Sequence, residues 1–280
     1  METSIRTFRR EDIAFALAQT QREGWDATAE LFETCLAHDP EGCFVAEAAG
    51  QRVGLVTTTR YARGGWVGNL IVPPEHRRQG IGQRLAAHAM AHLSTRGTQT
   101  IHLEADPPGI EIYRRLGFVD EFESLRFRFT PDGGAGPAAA ERVTTTDLPA
   151  LAAFDAEHFG DERKRLLELL FRQATATYWL PDGGEVRGYA FTVPSSLGVR
   201  LGPCVAADPR AAETLVQSVI ADWVGTTIVL GVSGLNCGAI GLFESRGFER
   251  CPSSFRMVCG RRDAAGHHEN IVAIANGAMG

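Results

Sequence analysis

The sequence predicts an α/β protein, an α+β mixed sheet in a fold that the chain carries twice. Three observations lead there. Runs rich in β-branched and apolar residues alternate with runs of helical apolar spacing. The stretch from Trp66 to Leu93 holds a strand, a glycine turn and a helix in succession. After a Pro/Gly/Ala-rich segment, the order of strands and helices of the first half begins again at low fidelity, as a duplicated domain does. The expected division is a first domain over residues 1–130, a linker over 131–141 and a second domain over 142–280.

In chain order, Ser4 to Phe8 reads as a short strand, and a helix starts at Arg10 with Ile13, Phe15, Ala16 and Leu17. Gly24, Trp25 and Asp26 interrupt it before a second helix from Ala27 to about Ala37. Cys43 to Ala48 and Arg52 to Tyr61 read as strands joined by a turn at Gly50. Trp66 to Val72 is the central strand, ended by Pro73 and Pro74 because proline gives a ladder no donor. The spacing of Leu85, Ala86, Ala89, Met90 and Leu93 predicts a helix from about Glu75. His76, His88 and His92 are expected on its surface. Gln99 to Ala105 is a strand, Ile110 to Leu116 a short helix and Glu123 to Phe129 a closing strand. The second half runs through helices at 148–159 and 162–173, a hairpin at 175–193, strands at 199–206 and 227–232, and a helix at 211–223.

Composition bounds the function. Hydrophobic residues make up 44% and charged residues 22%, the balance of a globular protein. A net charge of -6 speaks against a nucleic-acid or polybasic membrane binder. The six cysteines form no CxxC and no zinc spacing, so they read as small buried hydrophobes and no metal is expected. The N-terminus lacks an apolar signal core and no run is long enough to span a bilayer, so the expected place is the cytoplasm. Oligomeric state stays open.

Against this acidic background, Arg77, Arg78 and Arg84 cluster at a helix start with Gly80 and Gly82. Glycines admit a bulky anion to the backbone. First-turn amides lack intrahelical partners, and the helix dipole favours negative charge there. Strand, glycine turn and helix start together make a pyrophosphate cradle. A Walker A loop needs Lys-Ser or Lys-Thr after its last glycine, and Gln83-Arg84 follows Gly82. A dinucleotide fold needs three glycines, and two are present.

The pattern Val72-x-Pro74-x-x-Arg77-x-x-Gly80-x-Gly82 resembles the acetyl-CoA signature of the GNAT N-acetyltransferases. Downstream, Tyr113 on a helix followed by Leu116-Gly117-Phe118 is similar to the second signature of that superfamily. The resemblance implies tandem GNAT folds and acetyl-CoA as cosubstrate. It implies that Leu70, Ile71 and Val72 bond the pantetheine through their backbone. It also implies that Arg77, Arg78, Gln79, Gly80, Ile81, Gly82 and Gln83 hold the pyrophosphate. Asp106 stands beside the cofactor where many members carry asparagine, so a carboxylate that can only accept replaces an amide. Tyr113 becomes the general acid, since a phenol of pKa about 10 keeps its proton at neutral pH. The competing role for Tyr113 is packing on the cofactor. Glu104, on the strand that flanks the cleft, is the candidate base, with a purely structural carboxylate as the alternative. Trp25 and Asp26 border the acceptor site, or Trp25 anchors the core.

In the second half, the copy of the turn reads Ala206-Ala207-Asp208-Pro209, without the glycines and cations, and Phe243 takes the place of Tyr113. This layout resembles a bacterial subgroup of GNAT proteins whose C-terminal acetyltransferase-like domain is degenerate. The expected activity is acetyl transfer to a primary amine of a small molecule or amino acid. Two rivals remain, a protein-lysine or N-terminal acetyltransferase and a non-catalytic acyl-CoA sensor.

Overall fold

The computed structural model describes residues 3–133, 136, 139–261 and 266–280. Positions 134–135 and 137–138 of the expected linker lie outside the described residues. The first half contains β1 (Ser4–Thr7), α1 (Ile13–Arg22), α2 (Ala29–His38), β2 (Cys43–Ala48), β3 (Gln51–Arg60) and β4 (Gly64–Ile71). It continues with α3 (Ile81–Thr95), β5 (Thr100–Ala105), α4 (Ile110–Arg115) and β6 (Val119–Phe129). The second half contains α5 (Leu148–Phe159), α6 (Lys164–Gln173), β7 (Ala176–Asp182), β8 (Glu185–Ser195), β9 (Gly198–Ala206) and α7 (Pro209–Asp222). It ends with β10 (Thr227–Ser233), α8 (Cys237–Ser245), β11 (Glu249–Gly260) and β12 (Ile271–Ala273).

The chain forms two compact units that are not consecutive in sequence. The first comprises Met1–Glu121, Phe255–Arg262 and Met279. The second comprises Phe122–Ser254, Asp263–Ala278 and Gly280. The sheet of the first runs β1-β2-β3-β4-β5-β11, antiparallel except for β4 beside β5. That of the second runs β7-β8-β9-β10-β6, with β9 and β10 parallel and β12 lying antiparallel on β9.

A division in chain order makes Glu123–Phe129 the closing strand of the first domain. The structure instead pairs Ser124–Phe129 with Ile228–Ser233 in the second unit, and closes the first with Phe255–Gly260 against Thr100–Ala105. The two closing strands occupy equivalent places in the repeat, and both satisfy an edge of the same kind.

In the first unit α3 turns Leu85, Ala86, Ala89 and Leu93 onto Phe44, Val56, Val67, Ile101 and Leu103, all buried in one cluster. Removing the side chain of a fully buried leucine such as Leu85 costs about 2–5 kcal/mol. His92 belongs to this buried side and not to the surface. Its Nε2 lies 2.9 Å from Asp39 Oδ2, and Phe44 packs against its ring. The helix also starts later than the apolar spacing suggests, at Ile81 instead of Glu75. Pro74–His76 makes one 3-10 turn, after which Arg78 (φ 60°) and Gly80 (φ 77°) adopt left-handed conformations that no α-helix contains. Among the described residues, no helix is long and apolar enough to cross a membrane. Cys35, Cys43 and Cys204 are buried as expected of small hydrophobes, whereas Cys237 is exposed.

Candidate active site

The first unit is built around a fork. β4 and β5 pair over three residues only, Gly64↔Thr100, Gly65↔Ile101 and Trp66↔His102. Both strands continue beyond that point without further register. The cause lies on the other edge of β4. Thr57 faces Gly68 and Leu55 faces Ile71, so β4 spends three residues where β3 spends two. Asn69 carries the extra step at φ 50°, and its Nδ2 donates to Thr57 Oγ1 at 2.9 Å. Such a bulge bends its strand and re-aims the side chains after it. Val67 and Leu70 accordingly pack on the same α3-side cluster, which strict alternation forbids. Past Trp66, the β5-facing backbone groups of β4 are left without ladder partners on β5.

The helix start lies at the end of the same strand. Gly80 is the N-cap of α3, and no side chain caps its amides. A Cβ on Gly80 meets nothing within 4 Å, and one on Gly82 meets only Ile112 Cδ1 at 3.5 Å and Val72 Cγ2 at 3.6 Å. Arg78, Gln79 and Gln83 are exposed, whereas Ile81 is buried in the core and offers only its backbone. Arg77 departs from the expected cofactor role. Its Nε donates to the Val72 carbonyl at 2.8 Å and its Nη2 to Glu23 at the end of α1, so the guanidinium braces the turn. Arg84 likewise donates to the Thr3 carbonyl at 2.5 Å. Arg78 makes no ion pair among the described residues and stays available to an anion.

Tyr113 sits on α4 in the α3-side cluster, edge-on to Phe118 at 5.9 Å between ring centres. Burial, and after it the charge of Asp106, pushes its phenol well above the ordinary tyrosine range. Asp106 is half-buried at the end of β5, and its carbonyl accepts from Gly109 at 2.8 Å. Glu104 points to the other face of the sheet, since Leu103 and Ala105 join the Tyr113 cluster and side chains alternate along a strand. The two candidates for proton transfer thus stand on opposite faces of β5. Glu104 is not alone there. Arg256 of β11 lies directly opposite it, with Nη2 3.4 Å from Glu104 Oε1. Trp25 and Asp26 lie half-buried between α1 and α2, where the Trp25 amide donates to the Thr20 carbonyl at 2.9 Å. No ring contact or hydrogen bond joins Trp25 to Tyr113 or Glu104 among the described residues.

Two models of the acetyltransferase (GNAT) domain match the chain, one over residues 39–120 and one over residues 151–273. The chain belongs to the GNAT superfamily. Mycothiol acetyltransferase of Streptomyces bingchenggensis is 38% identical over 95 residues, which cover 32% of this chain and 31% of that protein. The chain therefore matches less than a third of the length of that relative. A solved structure from Pyrococcus horikoshii has the same fold, with a TM-score of 0.85 at 22% identity over 99% of this chain and 96% of the other. A tandem GNAT protein from the clavulanic acid biosynthesis pathway is also similar, with a TM-score of 0.66 at 17% identity, over 92% and 98% of the two chains.

The second GNAT unit repeats the fork and then fills it. β9 and β10 pair at Gly198↔Thr227, Val199↔Ile228 and Arg200↔Val229 and then part. Between them runs β12, with Ile271 opposite Val205 and Ala273 opposite Cys204. The Ile274 amide donates to the Gly231 carbonyl at 3.0 Å. The helix start is also taken, because Asp208 Oδ1 accepts from the Ala211 amide at 2.9 Å and Arg187 pairs with the same carboxylate. Phe243 packs against Phe127 and Phe248. Sequence reasoning found the missing glycines but neither the inserted strand nor the capping carboxylate. An Asp-Pro pair before a helical run is an N-cap signal, so Asp208 was legible.

Proposed function

We propose that this GNAT protein is an acetyl-CoA-dependent N-acetyltransferase acting on a primary amine of a small molecule or amino acid. The observation that carries the reading is the fork between β4 and β5 beside the uncapped start of α3. Acetyl-CoA fits the residues present. The amides of the turn from Arg78 to Gln83 face no capping side chain, and the glycines leave the helix start clear. Backbone groups of Leu70, Ile71 and Val72 border the fork, and the Val72 carbonyl already accepts one hydrogen bond from Arg77. When bound there, the cosubstrate supplies an activated acetyl thioester.

The chain supplies positions and protons. Tyr113 holds its proton at Oη throughout the neutral range and donates it to the departing sulfur. Glu104, on the opposite face, accepts the proton of the acceptor ammonium, through water if the distance requires it. Trp25 and Asp26 border the acceptor's route. The second unit takes no acetyl-CoA, because β12 and Asp208 stand in the corresponding places. A small-molecule acceptor is supported by the mycothiol acetyltransferases among the relatives. The test is release of free thiol from acetyl-CoA by the purified chain across a panel of small primary amines and amino acids. Amine-dependent thiol release is expected. Absence of both thiol release and calorimetric binding of acetyl-CoA overturns the reading.

A further inference from the structure

On the face of the first unit turned away from α3, four charged or aromatic side chains gather round Glu104. Arg256 lies across the β5–β11 ladder from it, and the two side chains retain only 8% and 4% of their exposure. The Arg256 guanidinium also lies over the Trp66 ring, 4.0 Å from its centre. Trp66 and His102 are the last ladder pair before β4 and β5 part, and their rings lie 5.4 Å apart. Glu121 of β6 completes the group, with Oε2 3.8 Å from His102 Nδ1. Glu104 is two residues past the fork on β5, so Arg256 spans from the crotch of the fork to the carboxylate on its wall.

We propose that Arg256 is a positioning residue for Glu104, which keeps that carboxylate ionised and fixed beside the fork. This rests on the acetyl-transfer reading and on Glu104 as base. The physical argument starts from cost. Two charges taken out of water lose much of their hydration, and an apolar pair of the same volume is often as stable or more so. Stability alone therefore gives no reason for an arginine here. A carboxylate accepts a proton only while it is ionised, and an opposite charge within 4 Å favours the ionised form. The stack on Trp66 fixes the guanidinium, because Arg presents a planar cation to an aromatic face. The buried arginine itself feels the reverse pressure. Burial lowers its pKa, and the charges of Glu104 and Glu121 oppose that shift.

The residue comes from 152 positions downstream of Glu104, in a segment that chain order assigns to the other domain. The last long strand of the chain thus supplies a group to a site otherwise built from the first 121 residues.

The test compares Arg256→Gln, Arg256→Lys and Glu104→Gln in the full chain by two measurements. Carboxyl-carbon NMR titration follows Glu104 whether or not the acceptor is known, and Glu104→Gln assigns its resonance. In Arg256→Gln the midpoint is expected to move up, because the neighbouring positive charge is gone, and Arg256→Lys should restore most of the change. The acid limb of kcat/KM should move with it, with acetyl-CoA affinity unchanged. A resonance that does not move in Arg256→Gln overturns the proposal. So does a resonance that moves while the rate profile stays in place, because Glu104 is then not the base. Failure of the acetyl-transfer reading shows separately, as neither thiol release with any amine nor calorimetric binding of acetyl-CoA by the unaltered chain.

Discussion

The Ile274 amide bonds to the Gly231 carbonyl at 3.0 Å, across the gap where β10 has left β9. In the first GNAT unit the matching gap between β4 and β5 receives no strand among the described residues. Duplication has thus produced two forks with opposite fates. Ile271–Ala275 is buried throughout, so the inserted segment is part of the second core. Gly202 makes room for it, since a Cβ there would lie 2.0 Å from the Ile274 carbonyl oxygen.

This asymmetry predicts a stoichiometry. Isothermal titration should count one acetyl-CoA per chain. Two bound equivalents would mean that β12 leaves its fork when ligand arrives.

The cradle predicts a graded series at residue 82. An added Cβ makes ordinary contacts at 3.5 and 3.6 Å, so Gly82→Ala should fold and bind nearly as the parent. Gly82→Val adds two methyl groups at the helix start and should abolish acetyl-CoA binding with little change in melting temperature. Gly80→Ala acts differently. Its φ of 77° strains any side chain, at about 1 kcal/mol, so it should lower stability first. Calorimetry and thermal melts on the three variants separate the effects. Full affinity in Gly82→Val would remove the turn from the site.

What the sequence made legible was periodic and local. The helix at Leu148–Phe159 was readable to the residue because its apolar faces and the following Gly160 mark it. The late start of α3 was not, because Arg78 gives no hint of its left-handed backbone. Nor does Asn69 announce the bulge that opens the fork, although asparagine tolerates positive φ better than most residues. Arg256 was hidden for a different reason. The strands after Gly117-Phe118 and after Gly247-Phe248 fit the same slot, and local pattern cannot say which copy pairs with which sheet. The burial of His92 was available in principle, since it stands seven residues after the buried Leu85 on the same helix face.

Asp12 predicts an acid dependence of stability. Its side chain is fully buried and accepts from Arg6, the Arg9 amide and Arg52. Burial pushes the carboxyl up, but these three donors outweigh it and bring its pKa to about 2. In the unfolded chain an aspartate titrates near about 3.9. The folded pKa is the lower of the two, so the contribution is complete above about pH 4 and is lost as pH falls towards 2. Urea midpoints measured from pH 5 to pH 2 should fall through that window. Asp12→Asn should be less stable at pH 7 by about 2 kcal/mol or more, since it leaves Arg6 without its main partner. It should also lose part of the acid slope, and an unchanged slope would assign that slope to other carboxylates.

Tyr113 carries the sharpest expectation. Tyr113→Phe removes one oxygen and leaves the ring against Phe118, so the fold and acetyl-CoA affinity should persist. If the phenol protonates the departing sulfur, kcat should fall by about a hundred- to ten-thousand-fold, the range for general acid–base steps. A second readout comes from the raised pKa. An ordinary tyrosine loses its proton near about pH 10. Burial and the charge of Asp106 keep Tyr113 protonated beyond that point. The rate should therefore show no alkaline limb from this group up to pH 10. Asp106→Asn removes the second of the two causes and leaves the first, so it should change turnover little. The second GNAT unit offers the control, because Phe243 already stands in the matching place. Phe243→Tyr should create no activity, since β12 and Asp208 still hold the fork and the helix start there. A Tyr113→Phe variant that turns over at the parent rate would leave solvent as the proton source and Tyr113 as a packing residue.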